Sequence, residues 1–108
     1  MFKDIIERFL KMDMYEKRSA TDTYCELVFY NKDMGKWNII FTGVFGQPVK
    51  PEGADPNKVD LALTKSYGGI FNNQILFKKD FDNFTTILML WPWQDGAHTT
   101  LKMAAMEK

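Results

Sequence analysis

Hydrophobic positions near the start of the chain recur with the period of an α-helix. The apolar side chains at the i, i+3, i+4, i+7 and i+8 positions are Phe2, Ile5, Ile6, Phe9 and Leu10. This spacing places them on one side of a helix, and a single apolar stripe needs a surface to pack against. The pattern predicts an amphipathic helix over residues 2–14 that lies on one face of a sheet.

From Thr23 onward the hydrophobic period changes to two, which is typical of strands. In the segment 23–30 the residues Cys25, Leu27 and Phe29 alternate onto one face. A turn follows at 31–35, where Gly35 suits a left-handed backbone conformation. The alternation then resumes over 37–45, so the pattern predicts a hairpin. The side chains on one face of this second strand are Trp37, Ile39, Phe41 and Phe45.

The last third of the chain has the pattern of a meander of three strands. We predict them at 74–79, 84–91 and 98–105, with a turn at 80–83 and a second turn at the dipeptide Asp95-Gly96. The strand 84–91 carries apolar residues at both odd and even positions. This pattern indicates a strand that is covered on both faces.

The segment 56–67 fits two structures. Asp55 and Pro56 provide a helix start, and Gly68-Gly69 provides a stop. The same segment also alternates like a strand, and we favour the helix. Together the elements predict one α+β domain over residues 1–108: a mostly antiparallel sheet of about five strands, the N-terminal helix on one face, and a possible second short helix at 56–67.

Composition narrows the classes of function. The chain has 108 residues, and its 14 basic and 14 acidic side chains cancel. Because the basic residues form no cluster, we expect no binding to nucleic acid. No apolar run approaches the roughly 20 residues that cross a bilayer, and the N-terminus does not resemble a secretory signal. We therefore expect a soluble, cytoplasmic protein that does not bind membranes.

Chemical motifs are sparse. Cys25 is the single cysteine, so it forms no internal disulfide, and its place on an apolar strand face favours a buried packing role. His98 follows the Asp95-Gly96 turn. It is either a solvent-facing strand histidine or a general base that Asp95 orients. We assign no catalytic residue and expect no cofactor or metal.

The segment Trp91-Pro92-Trp93 is the strongest candidate for recognition. Pro92 cannot donate to a sheet ladder, so the strand must leave the sheet or bulge there. We expect the two tryptophans to point in opposite directions from an extended backbone. One ring can then enter the core while the other covers a neighbouring element, forms an interface or lines a pocket. Tryptophan is enriched at binding hot spots.

Two functions remain open at this point, and we favour the first, which is not enzymatic. It is a protein-binding module that acts as a homodimer. It rests on the neutral charge, the aromatic content and the tryptophan pair. The alternative is a small-molecule-binding or enzymatic domain with an apolar, aromatic-lined pocket between helix and sheet. The candidate binding residues are Trp37, Trp91, Trp93, Asp95 and His98.

Overall fold

The computed structural model describes residues 2–107. The helices are α1 (Phe2–Leu10), α2 (Met34–Phe45) and α3 (Lys58–Thr64). The strands are β1 (Glu16–Ala20), β2 (Tyr24–Tyr30), β3 (Ile75–Asp80), β4 (Phe84–Pro92) and β5 (His98–Glu107). The strands form one antiparallel sheet in the order β1-β2-β5-β4-β3. The predicted α+β class, the antiparallel sheet and the N-terminal helix are confirmed.

The first face of the sheet carries the larger core. Cys25, Leu101 and Met103 point to this side, and α1 and α2 contribute the rings that pack on it. Phe29 stacks on Trp37 with ring centroids 4.9 Å apart, and Phe9 lies 5.6 Å from the same indole. The amphipathic stripe of α1 is buried here as its spacing predicts, although the helix ends at Leu10 instead of residue 14.

The predicted second strand over 37–45 is wrong, because this segment is the helix α2 and Gly35 lies inside it instead of in a hairpin turn. The buried residues are Trp37, Phe41 and Phe45, which are four residues apart and share one side of a helix. Ile39, which a strand would place beside them, is 72% exposed. The β-branched residues between the aromatic positions favour a strand, whereas the large aromatic side chains recur with the period of a helix.

β1 was not predicted, and its sequence explains why. Glu16, Lys17 and Arg18 give it no apolar alternation, and most of its residues are exposed. The strand lies at the edge of the sheet and pairs only with β2, with a shift in register between Lys17 and Ser19. A short, charged and bulged edge strand is poorly suited to pairing with another chain.

The second face of the sheet is covered in part by α3 and the 3₁₀ turn that follows it, which confirms the helix at 56–67. A capping box begins α3, since Asn57 accepts from the Asp60 amide and Asp60 accepts from the Asn57 amide. Leu63 and Tyr67 then pack against a smaller core. The buried members of that core are Ile70, Leu76, Ile87, Met89 and Ala104.

A buried lysine joins the two loops beside α3. Lys50 is 1% exposed, and its ammonium donates to three backbone carbonyls. The acceptors are Pro51 at 3.0 Å, Asn72 at 2.8 Å and Gln74 at 2.5 Å. Burial lowers the pKa of this amine, and Asp55 and Asp60 partly offset that effect. The three acceptors keep the buried ammonium hydrogen-bonded, as a buried charge requires.

The meander of β3, β4 and β5 agrees with the sequence pattern. Thr85 to Leu90 are all buried, because β4 lies between two strands and beneath a core on each face. The turn after β4 contains Gly96 with a φ of 70°, a left-handed conformation that suits glycine. None of the helices within residues 2–107 has the length and apolar character needed to cross a membrane.

Candidate functional site

The turn between β4 and β5 is held by its own hydrogen bonds. The Trp93 amide donates to the His98 carbonyl at 2.9 Å. Asp95 Oδ1 accepts from the Ala97 amide at 2.8 Å and from the His98 amide at 3.1 Å. These bonds bring Trp93, Asp95 and His98 together, as their positions in the sequence predict.

Four rings meet at this turn, and we call them the aromatic corner: Tyr15, Tyr30, Trp93 and His98. Tyr15 contacts all three others, with its centroid 4.3 Å from His98 and 5.9 Å from both Tyr30 and Trp93. Trp93 and His98 lie 4.9 Å apart. Tyr15 is 50% exposed and the other three rings are half-buried. The aromatic corner is therefore a cluster of rings in mutual contact that is partly exposed to solvent.

The corner lies on the second face of the sheet, beyond the part that α3 covers. Thr100 in β5 stands opposite Val28 and Trp91 in the neighbouring strands, so these three share that face. Trp93 Nε1 donates to Thr100 Oγ1 at 2.8 Å, which places its ring on the same side. Among the described residues, the rings of the corner come from strand ends and from the segment before β1.

The prediction that Trp91 and Trp93 point in opposite directions is wrong. Residues two apart in an extended chain lie on the same face. Trp91 stands opposite Thr100, and Trp93 binds the Thr100 hydroxyl. The rings differ in their neighbours: the Lys102 ammonium lies 3.6 Å from the Trp91 ring centroid, where α3 and its 3₁₀ turn cover the sheet.

His98 and Asp95 form a close pair. His98 Nδ1 lies 2.6 Å from Asp95 Oδ2. The hydrogen bond from the Ala97 amide is the main cause that lowers the pKa of Asp95, and the contact with His98 lowers it further. An ionised Asp95 fixes the direction of the imidazole ring, which is the geometry of an oriented base.

The single cysteine, Cys25, cannot act as a nucleophile together with His98 and Asp95. Cys25 is fully buried on the first face, whereas the corner is on the second. Burial raises the pKa of its thiol to about 11, so the thiolate that nucleophilic attack needs is disfavoured at neutral pH. The Cys25 thiol is therefore not available to the His98–Asp95 pair.

Charges of both signs surround the aromatic corner. The Arg18 guanidinium lies 5.8 Å from the Trp93 ring centroid, and the Lys32 ammonium lies 5.3 Å from that of Tyr30. Arg18 also pairs with Glu16 at 3.2 Å. Beside Tyr30, an open groove of about 600 Å³ is lined mainly by charged side chains, with Lys32 and Asp33 among them.

Trp37 does not join the other candidate residues. It is fully buried between α1, α2 and the first face, and it stacks on Phe29. The indole therefore belongs to the main core and is not available to a partner. Of the five candidates, Trp93 and His98 belong to the aromatic corner, Asp95 pairs with His98 beside it, and Trp91 lies next to the corner on the same face.

Sequence reasoning missed Tyr15 and Tyr30. Tyr30 had a signal, since it alternates with Phe29 at the end of a predicted strand and so falls on the opposite face. Tyr15 had none, because it lies in the connection between α1 and a strand that was not predicted. Its position is fixed by a backbone hydrogen bond from its amide to the Val28 carbonyl at 2.9 Å.

Within residues 2–107, no three histidine, cysteine, aspartate or glutamate side chains are grouped so that they could hold a metal ion. No family model matches the chain, and no curated protein or solved structure matches it either.

Proposed function

We propose that this domain is a protein-binding module and that the aromatic corner binds a second copy of the chain. One observation carries the proposal: Tyr15, 50% exposed, lies over Trp93 and His98 on a part of the sheet beyond α3. Tyrosine and tryptophan offer a large apolar area with little side-chain entropy to lose, which is why they dominate binding hot spots.

The contacts between the rings favour a protein partner over a small molecule. Neighbouring rings of the corner touch one another, so the site is a surface and not a cavity. The interior between helices and sheet is filled by aromatic rings in mutual contact, so a pocket at that place is not part of the proposal. Those rings are Phe9, Phe29, Trp37, Phe41 and Phe77.

The charges at the rim favour a second copy as the partner. In a twofold dimer the same patch meets itself, so it must carry groups that complement one another. Arg18 and Lys32 lie at this rim together with Glu16 and Asp95, so the patch carries the charges of both signs that a self-complementary surface needs. The net charge of zero also produces little repulsion between copies.

Sedimentation analysis over a range of micromolar concentrations tests this proposal. The chain has a mass of 12.6 kDa, and we expect a concentration-dependent species of twice that mass. Tyr15→Ala and Trp93→Ala should each shift the equilibrium toward monomer while the circular dichroism spectrum stays unchanged. Truncation of hot-spot rings weakens binding by about 2 kcal/mol or more, roughly thirtyfold.

Phe71→Ala is the matched control. Phe71 is 60% exposed, in the loop after α3, and is not part of the aromatic corner. Its loss should leave the association unchanged. A wild-type chain that stays monomeric at these concentrations would exclude the homodimer. A dimer that weakens with Phe71→Ala but not with Tyr15→Ala would place the interface elsewhere.

A further inference from the structure

The position of Trp93 depends on one side chain beneath it. The ring follows Pro92, where the chain leaves the sheet, and its backbone amide bonds to the His98 carbonyl. Backbone bonding alone leaves the side-chain torsions free to rotate. The indole Nε1 donates to Thr100 Oγ1 at 2.8 Å, and this bond fixes the ring over the second face.

Thr100 is itself out of reach of a partner. It is 5% exposed and lies in β5, between Val28 of β2 and Trp91 of β4. Its side chain is β-branched, so its χ1 torsion is stiff and its hydroxyl is an acceptor with a defined place. Thr100 therefore can influence recognition only through the residue that it holds.

We propose that Thr100 is a positioning residue that preorganises Trp93 for binding; this inference rests on the proposed function of the aromatic corner. A ring already fixed in its bound orientation loses less side-chain freedom on association. The contacts of Trp93 with Tyr15 and His98 depend on the same orientation. The hydroxyl of Thr100 thus raises affinity without contact with the partner.

Thr100→Val removes the hydroxyl and keeps the shape of the side chain. We expect association of the full chain to weaken about threefold to tenfold. This fold-change corresponds to the entropic cost of immobilising one side chain on binding. Hydrogen exchange of the Trp93 indole N–H, followed by NMR, should become faster. Thr100→Ser, which keeps the acceptor, should restore both values to nearly those of the wild type.

Thr99→Val is the matched control, since Thr99 also loses a side-chain hydrogen bond, to Asn31 Oδ1 at 2.6 Å. It is the neighbour in β5 and points to the first face, so association should match the wild type. Trp93→Phe removes the indole donor of the bond to Thr100 together with part of the ring surface. A double-mutant cycle with Thr100→Val should then show that the second change adds nothing to the first.

The outcomes separate the two proposals. Wild-type association in Thr100→Val, or effects of Trp93→Phe and Thr100→Val that simply add, would overturn the positioning role even where Trp93→Ala weakens association. No effect of Trp93→Ala itself would overturn the proposed function. If Thr100→Val does not fold, Trp93→Phe and Thr100→Ser still decide the matter: equal association of Trp93→Phe and wild type would refute the inference.

Discussion

Of the seven glycines, Gly68 is the one at which an added side chain would collide with another residue. Its φ is 101°, in the left-handed region, and a Cβ built there would lie 2.5 Å from Trp91 Cη2. Gly68→Ala therefore meets both a strained backbone and an aromatic ring. We expect a loss of about 2 to 5 kcal/mol in the free energy of unfolding, the sum of the two penalties. Urea denaturation followed by circular dichroism would measure it.

Gly43→Ala serves as the comparison for Gly68→Ala. Gly43 lies within α2, and no atom lies within 4 Å of a Cβ built on it. Alanine in such a helix position stabilises by about 0.5 to 1 kcal/mol relative to glycine. If Gly68→Ala were no more destabilising than Gly43→Ala, the close approach of Gly68 to Trp91 would be refuted.

Cys25 links the stability of the fold to alkaline pH. The pKa of its thiol is raised to about 11 by burial, whereas an unfolded cysteine titrates near 8.5. Between these values the folded chain holds a proton that the unfolded chain has lost. Stability therefore falls as pH rises through this window, by up to about 3 kcal/mol from this group.

A Cys25→Ala variant isolates this effect from other groups that titrate at high pH. The substitution leaves a small cavity and lowers stability at every pH, yet it removes the contribution of the thiol to the slope. We expect the wild type to lose more stability than Cys25→Ala between pH 8 and about 11, as followed by urea denaturation. Parallel curves for the two proteins would show that the thiol is not buried as described.

At the scale of the element, α2 gives the sharpest test of the architecture. Ile39 is 72% exposed, whereas Phe41 is fully buried against Phe9, Phe29 and Trp37. Ile39→Gln should change the free energy of unfolding by no more than about 0.5 kcal/mol. Phe41→Ala should cost about 3 to 5 kcal/mol. A strand over 37–45 would bury both side chains, so similar losses in thermal or urea unfolding would contradict the helix.

Helices and strands could be predicted where their buried faces produce a regular apolar pattern in the sequence. α1 was found because one side is apolar, and β4 because both sides are. α2 was mistaken for a strand because Trp37, Ile39 and Phe41 alternate, although only Trp37, Phe41 and Phe45 recur at helical spacing. β1 was missed because it has no apolar pattern of its own. It is a strand because its backbone pairs with β2.

For the whole molecule, the sequence predicts which site residues lie together only where they are neighbours along the chain. Residues near one turn, such as Trp93, Asp95 and His98, were grouped correctly because local hydrogen bonds hold them. Tyr15 and Tyr30 reach the same place only through the sheet order. Trp37 was predicted as a binding residue but lies in the core, because the identity of one aromatic residue does not indicate whether it is buried or exposed.

The place of β5 has a consequence for how this chain is made. β5 lies between β2 and β4 in the sheet, yet it comes after both in the chain. A ribosome therefore releases two hairpins, β1–β2 and β3–β4, and no strand pairs with both of them until residues 98–107 emerge. During that interval β4 lacks one of its two neighbouring strands, and an unpaired apolar strand edge of this kind is prone to aggregation and to chaperone binding. Synthesis of the final strand, rather than formation of any helix, sets the moment at which the nascent sheet can close.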